Sequence, residues 1–435
     1  MATESSNSLA SLDTQISPLS IIVIGAGIGG LTVASRLSLA GHSVTVLEAS
    51  SVLREVGAGL QLSPNATRLL HRWGLKTELE KVAVQPTKMS FHRFSDDGML
   101  GLIPIELIVK SNAAPWYNIH RDDLHSLLAR SVSNSVKISL GSTVTSVYHR
   151  YPSESKEAAG KPCVVLSSGA ELTADLVIGA DGIKSVTRRA IISEEQDARV
   201  DSAAAYRVVL PSGLLLNDPD LESLVSNPEV TQWIGPGASL VGYPIRNGKE
   251  YNIIVGLSNE SEEKANDMEM LFVDWNPRVR KLLALIPAAS KWQLADREPL
   301  KTWVHPKGHV VLLGDAAHPI LPFGGQGAAL AIEDAAVLGN LFSNIHSSSE
   351  IPKLLCIYEA LRLPRCSDSQ TAARMSGMTL HAPDGPMQQA RDNLLRQTMQ
   401  PSGETSKQVH EKILNQVQYG YDADKHVEEY LLQEN

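Results

Sequence analysis

Six residues near the start of the chain, Gly25-Ala26-Gly27-Ile28-Gly29-Gly30, are spaced to hold phosphate, and a carboxylate, Glu48, follows eighteen residues past Gly30. The chemistry is that of a dinucleotide. Gly25 permits a tight turn, Gly27 lets the backbone approach a pyrophosphate, and Gly30 allows a helix to pack closely on a strand. Helix amides and the helix dipole then face the phosphates, and Glu48 is placed to accept hydrogen bonds from ribose hydroxyls. The fingerprint serves nicotinamide and flavin dinucleotides alike, so it does not choose between them.

Two later motifs narrow the field. Asp181-Gly182, with Ser185 and Arg188, ends one short apolar run; Gly314-Asp315-Ala316-Ala317-His318-Pro319 ends another and leads to Pro322 and Gly324-Gly325-Gln326-Gly327. Asp181 and Arg188 read as a helix-capping network, as cofactor contacts, or as both. Arg121 opens a helix, where the dipole disfavours a cation unless an anion lies near. Arg207 lies in the apolar segment 203–209, a costly place for an unpartnered charge, and Tyr243 lies in 241–245 on what reads as a neighbouring strand. These two are the candidate catalytic pair; the alternative is a salt-bridged arginine and a core tyrosine. His318 reads as a hydrogen-bonded support. The other histidines and Cys163, Cys356 and Cys366 show no ligand spacing, so no metal is expected.

These groups need elements to position them. Segment 19–24 reads as a buried strand, 28–40 as a helix and 43–47 as a second strand, a βαβ unit. Ser63-Pro64 is a helix start, with Ser63 as the N-cap and a helix over 65–73. Residues 86–118 read as strands and turns, and 121–131 as a helix. Segments 136–149 and 163–166 read as paired strands around a polar loop, 151–161, with another buried strand at 176–178. From about residue 201 the pattern becomes short strands (203–210, 230–234, 239–245, 251–257) with a hairpin signal at Asn247-Gly248. A strand at 310–313 and a helix at 327–342 follow, and 350–435 is helical, with Val409, Ile413 and Val417 at helical spacing. The expected fold class is α/β. It comprises a disordered leader over 1–18 and a Rossmann-like domain over 19–200 and 296–370. An antiparallel-sheet substrate domain over 201–295 gains strands from 86–118, and a helical C-terminal region covers 371–435.

The bulk numbers set limits. At 435 residues with a net charge of −9, the chain lacks the basic balance that nucleic-acid binding requires. Three cysteines, an odd number, read as free thiols in a reducing compartment. The Ser-rich start has no basic region before an apolar stretch, and no window reaches membrane-span length. The expectation is a cytoplasmic protein with no transmembrane segment, as a monomer or homodimer.

With its three motifs in this order, the chain resembles the flavoprotein aromatic hydroxylases, in particular the fungal salicylate-hydroxylase-like branch of the single-component FAD-dependent monooxygenases. The resemblance runs from Leu19 to about Asp392 and includes Arg121-Asp122-Asp123-Leu124-His125 and the stretch from Tyr358-Glu359 to Arg365. It implies an FAD-binding domain of the aromatic-hydroxylase type and non-covalent FAD. The matching contacts are Gly25, Gly27, Gly30, Glu48, Gln61, Arg121, Asp181, Asp315, Gly327 and Ala328. Asp315 would lie near the ribityl hydroxyls, Pro322 along the face where oxygen reacts, and the amides of a helix starting at Gly327 toward the flavin edge where charge accumulates on reduction.

The implied cycle uses NADH or NADPH as a transient co-substrate and O2. Oxygen passes from a flavin C4a-hydroperoxide to a small aromatic, phenolic substrate, in the setting of secondary metabolism that the fungal branch implies. Arg207 and Tyr243 would orient the substrate or stabilise its anion. A second GxGxxG is absent, which fits a nicotinamide that binds briefly and leaves. The tryptophans do not form the WxWxIP motif of flavin halogenases, and no disulfide redox pair is present. The alternatives are an FAD-dependent epoxidase of an alkene or indole, a non-oxygenase FAD-dependent reductase, and a non-enzymatic FAD-binding module.

Overall fold

Ser20–Ile24, Ser43–Leu47 and Leu176–Gly179 are short runs of mostly buried apolar residues, the pattern of strands covered on both faces. In the computed structural model they are neighbours in a five-stranded sheet, in the order Val310–Leu312, Leu176–Gly179, Ser20–Ile24, Ser43–Leu47, Lys137–Ser139. Every pairing in it is parallel; Ile22 stands between Val177 and Thr45. The structure describes residues 17–53, 57–150, 160–192, 199–258, 271–286, 290–399 and 416–434. The expected leader, apart from residues 17 and 18, lies outside the described residues, as do most of the polar loop, Val409 and Ile413.

Helix Ile28–Leu39 returns across one face of this sheet and packs on helix Gly327–Leu341, where Gly339 leaves room for the Arg36 side chain. The other face meets a three-stranded antiparallel sheet, Glu171–Thr173, Lys161–Leu166 and Val144–Arg150. The single strand expected over 136–149 is two strands. Lys137–Ser139 joins the parallel sheet and Val144–Arg150 the antiparallel one, because Gly141, at φ +65°, turns the chain between them.

The second large sheet has seven strands, in the order Ser290–Asp296, Arg199–Pro211, Glu250–Leu257, Ala238–Ile245, Glu229–Gly235, Lys88–Arg93, Met99–Pro104. It is not wholly antiparallel. Glu229–Gly235 pairs in parallel with Lys88–Arg93, a strand supplied from much earlier in the chain. The turn at Asn247-Gly248 joins two of its strands, with Arg246, Asn247 and Gly248 all at positive φ. One face is sealed by a cluster that includes Trp233, Leu240, Tyr251, Ile253, Phe272 and Trp275. The opposite face carries Arg207 and Tyr243, whose strands are not neighbours as expected: Glu250–Leu257 pairs with both and lies between them.

Two helical readings also change. Ile105–Asn112, within the stretch read as strands and turns, is a helix that stops at Ala113 in a left-handed conformation of φ 49°. The marker that the sequence reading passed over is Glu106 and Lys110, an acid in the first turn and a base four residues on in the last. Helix Ile351–Leu380 runs for 30 residues straight through position 371, where a region boundary was expected. No described helix is long and apolar enough to cross a membrane.

Candidate active site

The glycine turn after Ser20–Ile24 is built to approach a ligand. Gly25 has φ +101°, and a Cβ there would meet the Ala180 carbonyl oxygen at 2.4 Å; a Cβ on Gly30 would meet the Gly25 oxygen at 2.0 Å. Both positions therefore require glycine. Gly27 is the N-cap of Ile28–Leu39 and brings no side-chain cap, which leaves first-turn amides for a bound anion. Glu48 folds back on this turn: Oε2 accepts the Ala26 N–H at 2.8 Å and Oε1 the Ser50 N–H at 2.8 Å.

Asp181 is engaged locally. Its carboxylate accepts from Ser185 Oγ, the Val186 and Thr187 amides and Thr187 Oγ1, so it caps the helix Val186–Ile191. Arg188 donates to the Ala316 carbonyl at 2.8 Å and to the Ile183 carbonyl at 2.5 Å. Arg188 thus ties the second motif to the third, while Asp181 is held within the second.

Around the third motif a buried polar network appears that the sequence reading missed. His318 Nε2 lies 2.6 Å from Asp334 Oδ2, which also accepts the Gly314 N–H, and Arg362 Nε donates to Asp334 Oδ1 at 2.8 Å. Arg365 forks onto Glu333, and Asn65 joins Glu333 to Gln326. Burial raises the Asp334 carboxyl, but His318 and Arg362 pull it down harder, to about 2. Burial likewise opposes charge on His318, and Cys366 and Asp334 override it, so its pKa is raised. His318, Asp334 and Cys366 converge like metal ligands, yet the cation among them is Arg362, whose guanidinium also lies 3.7 Å from Cys366 Sγ. The signal was available: Glu333 and Asp334 are two acids inside an otherwise apolar helix.

Ser63 stands at the expected N-cap position but makes no capping bond. Its hydroxyl donates to Asn65 Oδ1 at 2.6 Å and accepts from Gln326 Nε2 at 3.0 Å, so it belongs to the same network. That network holds the start of helix Gly327–Leu341, which also lacks a side-chain cap and leaves Gly327 and Ala328 half-buried. Gln61 faces the loop before this helix: its Oε1 lies 3.7 Å from the position of a Cβ on Gly325, and its amide donates to Asn118 Oδ1 at 3.3 Å.

Asp315 keeps accessible surface although protein surrounds it, the mark of a group in a deep cleft rather than on the outer surface. The enclosure pushes its carboxyl pKa up, against the pull of His318 and Arg121. Burial lowers the Arg121 guanidinium, opposed by Asp315. Burial pushes Arg207 down to about 10, with Tyr243 opposing and the positive charge of Arg121 adding to the fall. Tyr243 is shifted up by burial and back by Arg207. The fold thus brings Asp315, Arg121, Arg207 and Tyr243 into one electrostatic neighbourhood. An FAD fits these residues: two uncapped helix starts, a turn with no space for a Cβ, and a cleft containing one acid and one arginine.

Asn252 and His381 lie at the same sheet face as Arg207 and Tyr243 without having been singled out. Asn252 Oδ1 accepts the Gly59 N–H at 2.6 Å, and His381 Nε2 pairs with Ser239 Oγ at 2.9 Å. A buried asparagine in an apolar strand is the same signal that marked Arg207. His381, from a Pro-Gly-rich segment, gave none.

A dinucleotide cleft set against a large mixed sheet is the architecture of a flavoprotein oxidoreductase. Residues 19–373 match the family described as FAD binding domain, and the chain belongs to that family. Among its relatives, the FAD-dependent monooxygenase OpS4 of Beauveria bassiana (strain ARSEF 2860) is 34% identical over 417 residues, 93% of this chain and 96% of that protein. The 3-amino-4-hydroxybenzoate 2-monooxygenase of Streptomyces cremeus is 34% identical over 387 residues, 88% of this chain and 93% of that protein. A salicylate hydroxylase substrate complex superposes with a TM-score of 0.75 at 25% identity, covering 95% of this chain and 98% of that one. The protein is an FAD-dependent monooxygenase of the aromatic-hydroxylase type.

Proposed function

We propose that this protein uses NAD(P)H and dioxygen to hydroxylate a phenolic aromatic substrate bound on the sheet face that carries Arg207 and Tyr243. The observation that carries the reading is that the sheet sets an arginine and a tyrosine on one face, on strands either side of Glu250–Leu257, with burial the first influence on the ionisation of each and the other group opposing it. FAD, when bound, supplies the hydride acceptor and the site of oxygen activation.

The chain's own residues do the rest. The turn at Gly25 and the start of helix Ile28–Leu39 receive the pyrophosphate, and Arg121 and Asp315 line the cleft beyond it. Arg207, with a pKa of about 10, stays charged at neutral pH and favours a substrate anion beside it. Tyr243, its pKa raised by burial, stays a neutral phenol able to donate a hydrogen bond. A phenolate is more electron-rich than a phenol, so stabilising it favours attack on an electrophilic oxygen. An alkene or indole offers Arg207 no acidic group, which supports the phenolic reading over epoxidation.

The test is a screen of the purified yellow protein with hydroxybenzoates and larger phenols, following NAD(P)H oxidation and oxygen uptake together. Substrate-stimulated consumption of both supports the proposal. NAD(P)H oxidation without oxygen uptake would place the protein among reductases.

A further inference from the structure

On the seven-stranded sheet, cross-strand register aligns Arg207 with Ile254, Ile254 with Val241, Val241 with Gln232, Gln232 with Phe91, and Phe91 with Gly101. Each of the first five keeps partial exposure. In Ala238–Ile245, Val241 is the one residue not buried. In Glu250–Leu257 and Glu229–Gly235, apart from their first residues, Ile254 and Gln232 hold that distinction. Phe91 sits between buried Ser90 and His92. One continuous row of partly exposed residues therefore crosses five strands, and on the same face Val209, Met89 and Arg93 are partly exposed as well.

The rows on either side are buried where they cross the middle strands. On one side His381 pairs with Ser239, and Phe323 meets the His381 ring edge-on at 5.3 Å. On the other, Tyr243 and Asn252 lie under the backbone of Gly59. The far end closes at Gly101, where a Cβ would meet the Leu395 carbonyl oxygen at 2.9 Å. The opening is a trough with two walls and an end. Neighbouring strands lie ~4.8 Å apart, so its floor from Arg207 to Phe91 spans about 19 Å, well beyond a single-ring benzoate.

The floor changes character along its length: a cation at Arg207, two aliphatic side chains, an amide at Gln232, then an aromatic ring. Among the described residues, none hydrogen-bonds the Gln232 side chain, so both its donors and its acceptor are open to a ligand. Burial lowers His381 to about 4, so the wall it forms is uncharged at neutral pH.

We propose that the trough takes an extended aromatic substrate, of two or more linked or fused rings. Its acidic phenol end lies at Arg207 and Tyr243, and a polar substituent on the distal part is bound by Gln232. This rests on the proposed phenol hydroxylation and adds the length and the distal polar group.

The test uses the holoenzyme and the perturbation of flavin absorbance by three probes: salicylate, 4-hydroxybiphenyl and 4,4'-dihydroxybiphenyl. The expected order of affinity is dihydroxybiphenyl, hydroxybiphenyl, salicylate. Gln232→Leu should weaken the dihydroxy compound about tenfold more than the monohydroxy one, the loss of one buried hydrogen bond. Phe91→Trp, which fills the far end, should weaken both biphenyls more than salicylate. Retained FAD absorbance shows that each variant is folded. Salicylate binding as tightly as the biphenyls, or Gln232→Leu affecting both biphenyls equally, overturns the trough assignment and leaves phenol hydroxylation standing. No perturbation by any phenol overturns both.

Discussion

Asn252 Oδ1 accepts the Gly59 N–H at 2.6 Å, a bond that joins the middle of the seven-stranded sheet to the short strand Gly59–Leu62 carrying Gln61. The same approach brings Gly59 against Tyr243, since a Cβ there would lie 2.8 Å from both Asn252 Cγ and Tyr243 Cε2. The short strand and the middle of the large sheet are thus held together at Gly59. Asn252→Leu leaves a buried N–H without its acceptor, at a cost of about 1–3 kcal/mol. Thermal denaturation should show a Tm lowered by several degrees. Gly59→Ala should lower kcat/KM further than its Tm change accounts for, because it displaces the Tyr243 ring.

Gly25→Ala should give a folded, colourless protein. The added Cβ meets the Ala180 carbonyl oxygen at 2.4 Å, on a residue whose φ of +101° already excludes an ordinary side chain. The measurement is the flavin absorbance of the purified variant beside its circular dichroism. Normal FAD content would show that this turn does not receive the pyrophosphate.

Asp334→Asn should destabilise the protein by about 3 kcal/mol, because it leaves His318 buried without its counter-charge, while Arg362 keeps its ion pair with Glu333 at 2.7 Å. The wild-type pH dependence has a definite sign. The Asp334 carboxyl sits at about 2, below its ordinary value of 3.8. Its contribution is present in full above the ordinary value and is lost as pH falls toward 2. Denaturant titrations at pH 7 and pH 3 should show the gap between wild type and variant narrowing in acid.

His149 gives a second acid sensitivity in a different window. Its ring stacks on His305 at 4.2 Å, and among the described residues neither of its buried nitrogens has a hydrogen-bond partner. Burial, with the neighbouring positive groups, lowers its pKa from 6.5 to about 4. The unfolded chain therefore takes up a proton that the folded one refuses, and stability falls as pH drops from 6.5 toward 4. His149→Phe should have a flatter profile of Tm against pH over that range. An unchanged slope would assign the sensitivity to other groups.

Much of this was legible because some residues have few physical excuses. A glycine pattern between a strand and a helix, an arginine in an apolar strand and a tyrosine in another each demanded an explanation; the fold puts the arginine and the tyrosine on one sheet face, but with Glu250–Leu257 between their strands, because strand order is not written in local pattern. Gln232 offered no such signal. It becomes notable only when strand register aligns it with Val241 and Ile254, and register is a long-range property that local pattern does not encode. The helix Ile105–Asn112 was hidden for a related reason: it is only eight residues long, and its apolar run Leu107-Ile108-Val109 fits a strand as well as a helix. Asp181 shows the opposite case, in which the residue was found and its carboxylate proved to be occupied by its own helix.

The central claim is that oxygen from O2 enters an organic substrate held beside Arg207 and Tyr243. The direct measurement is turnover of a phenol that stimulates NAD(P)H oxidation, run under isotopically labelled dioxygen, with mass analysis of the product. The expected result is a product carrying one labelled oxygen atom, with its yield lost in Arg207→Met while FAD stays bound. A product whose new oxygen comes from unlabelled water would contradict the account, as would complete conversion of dioxygen to hydrogen peroxide with no product for any phenol.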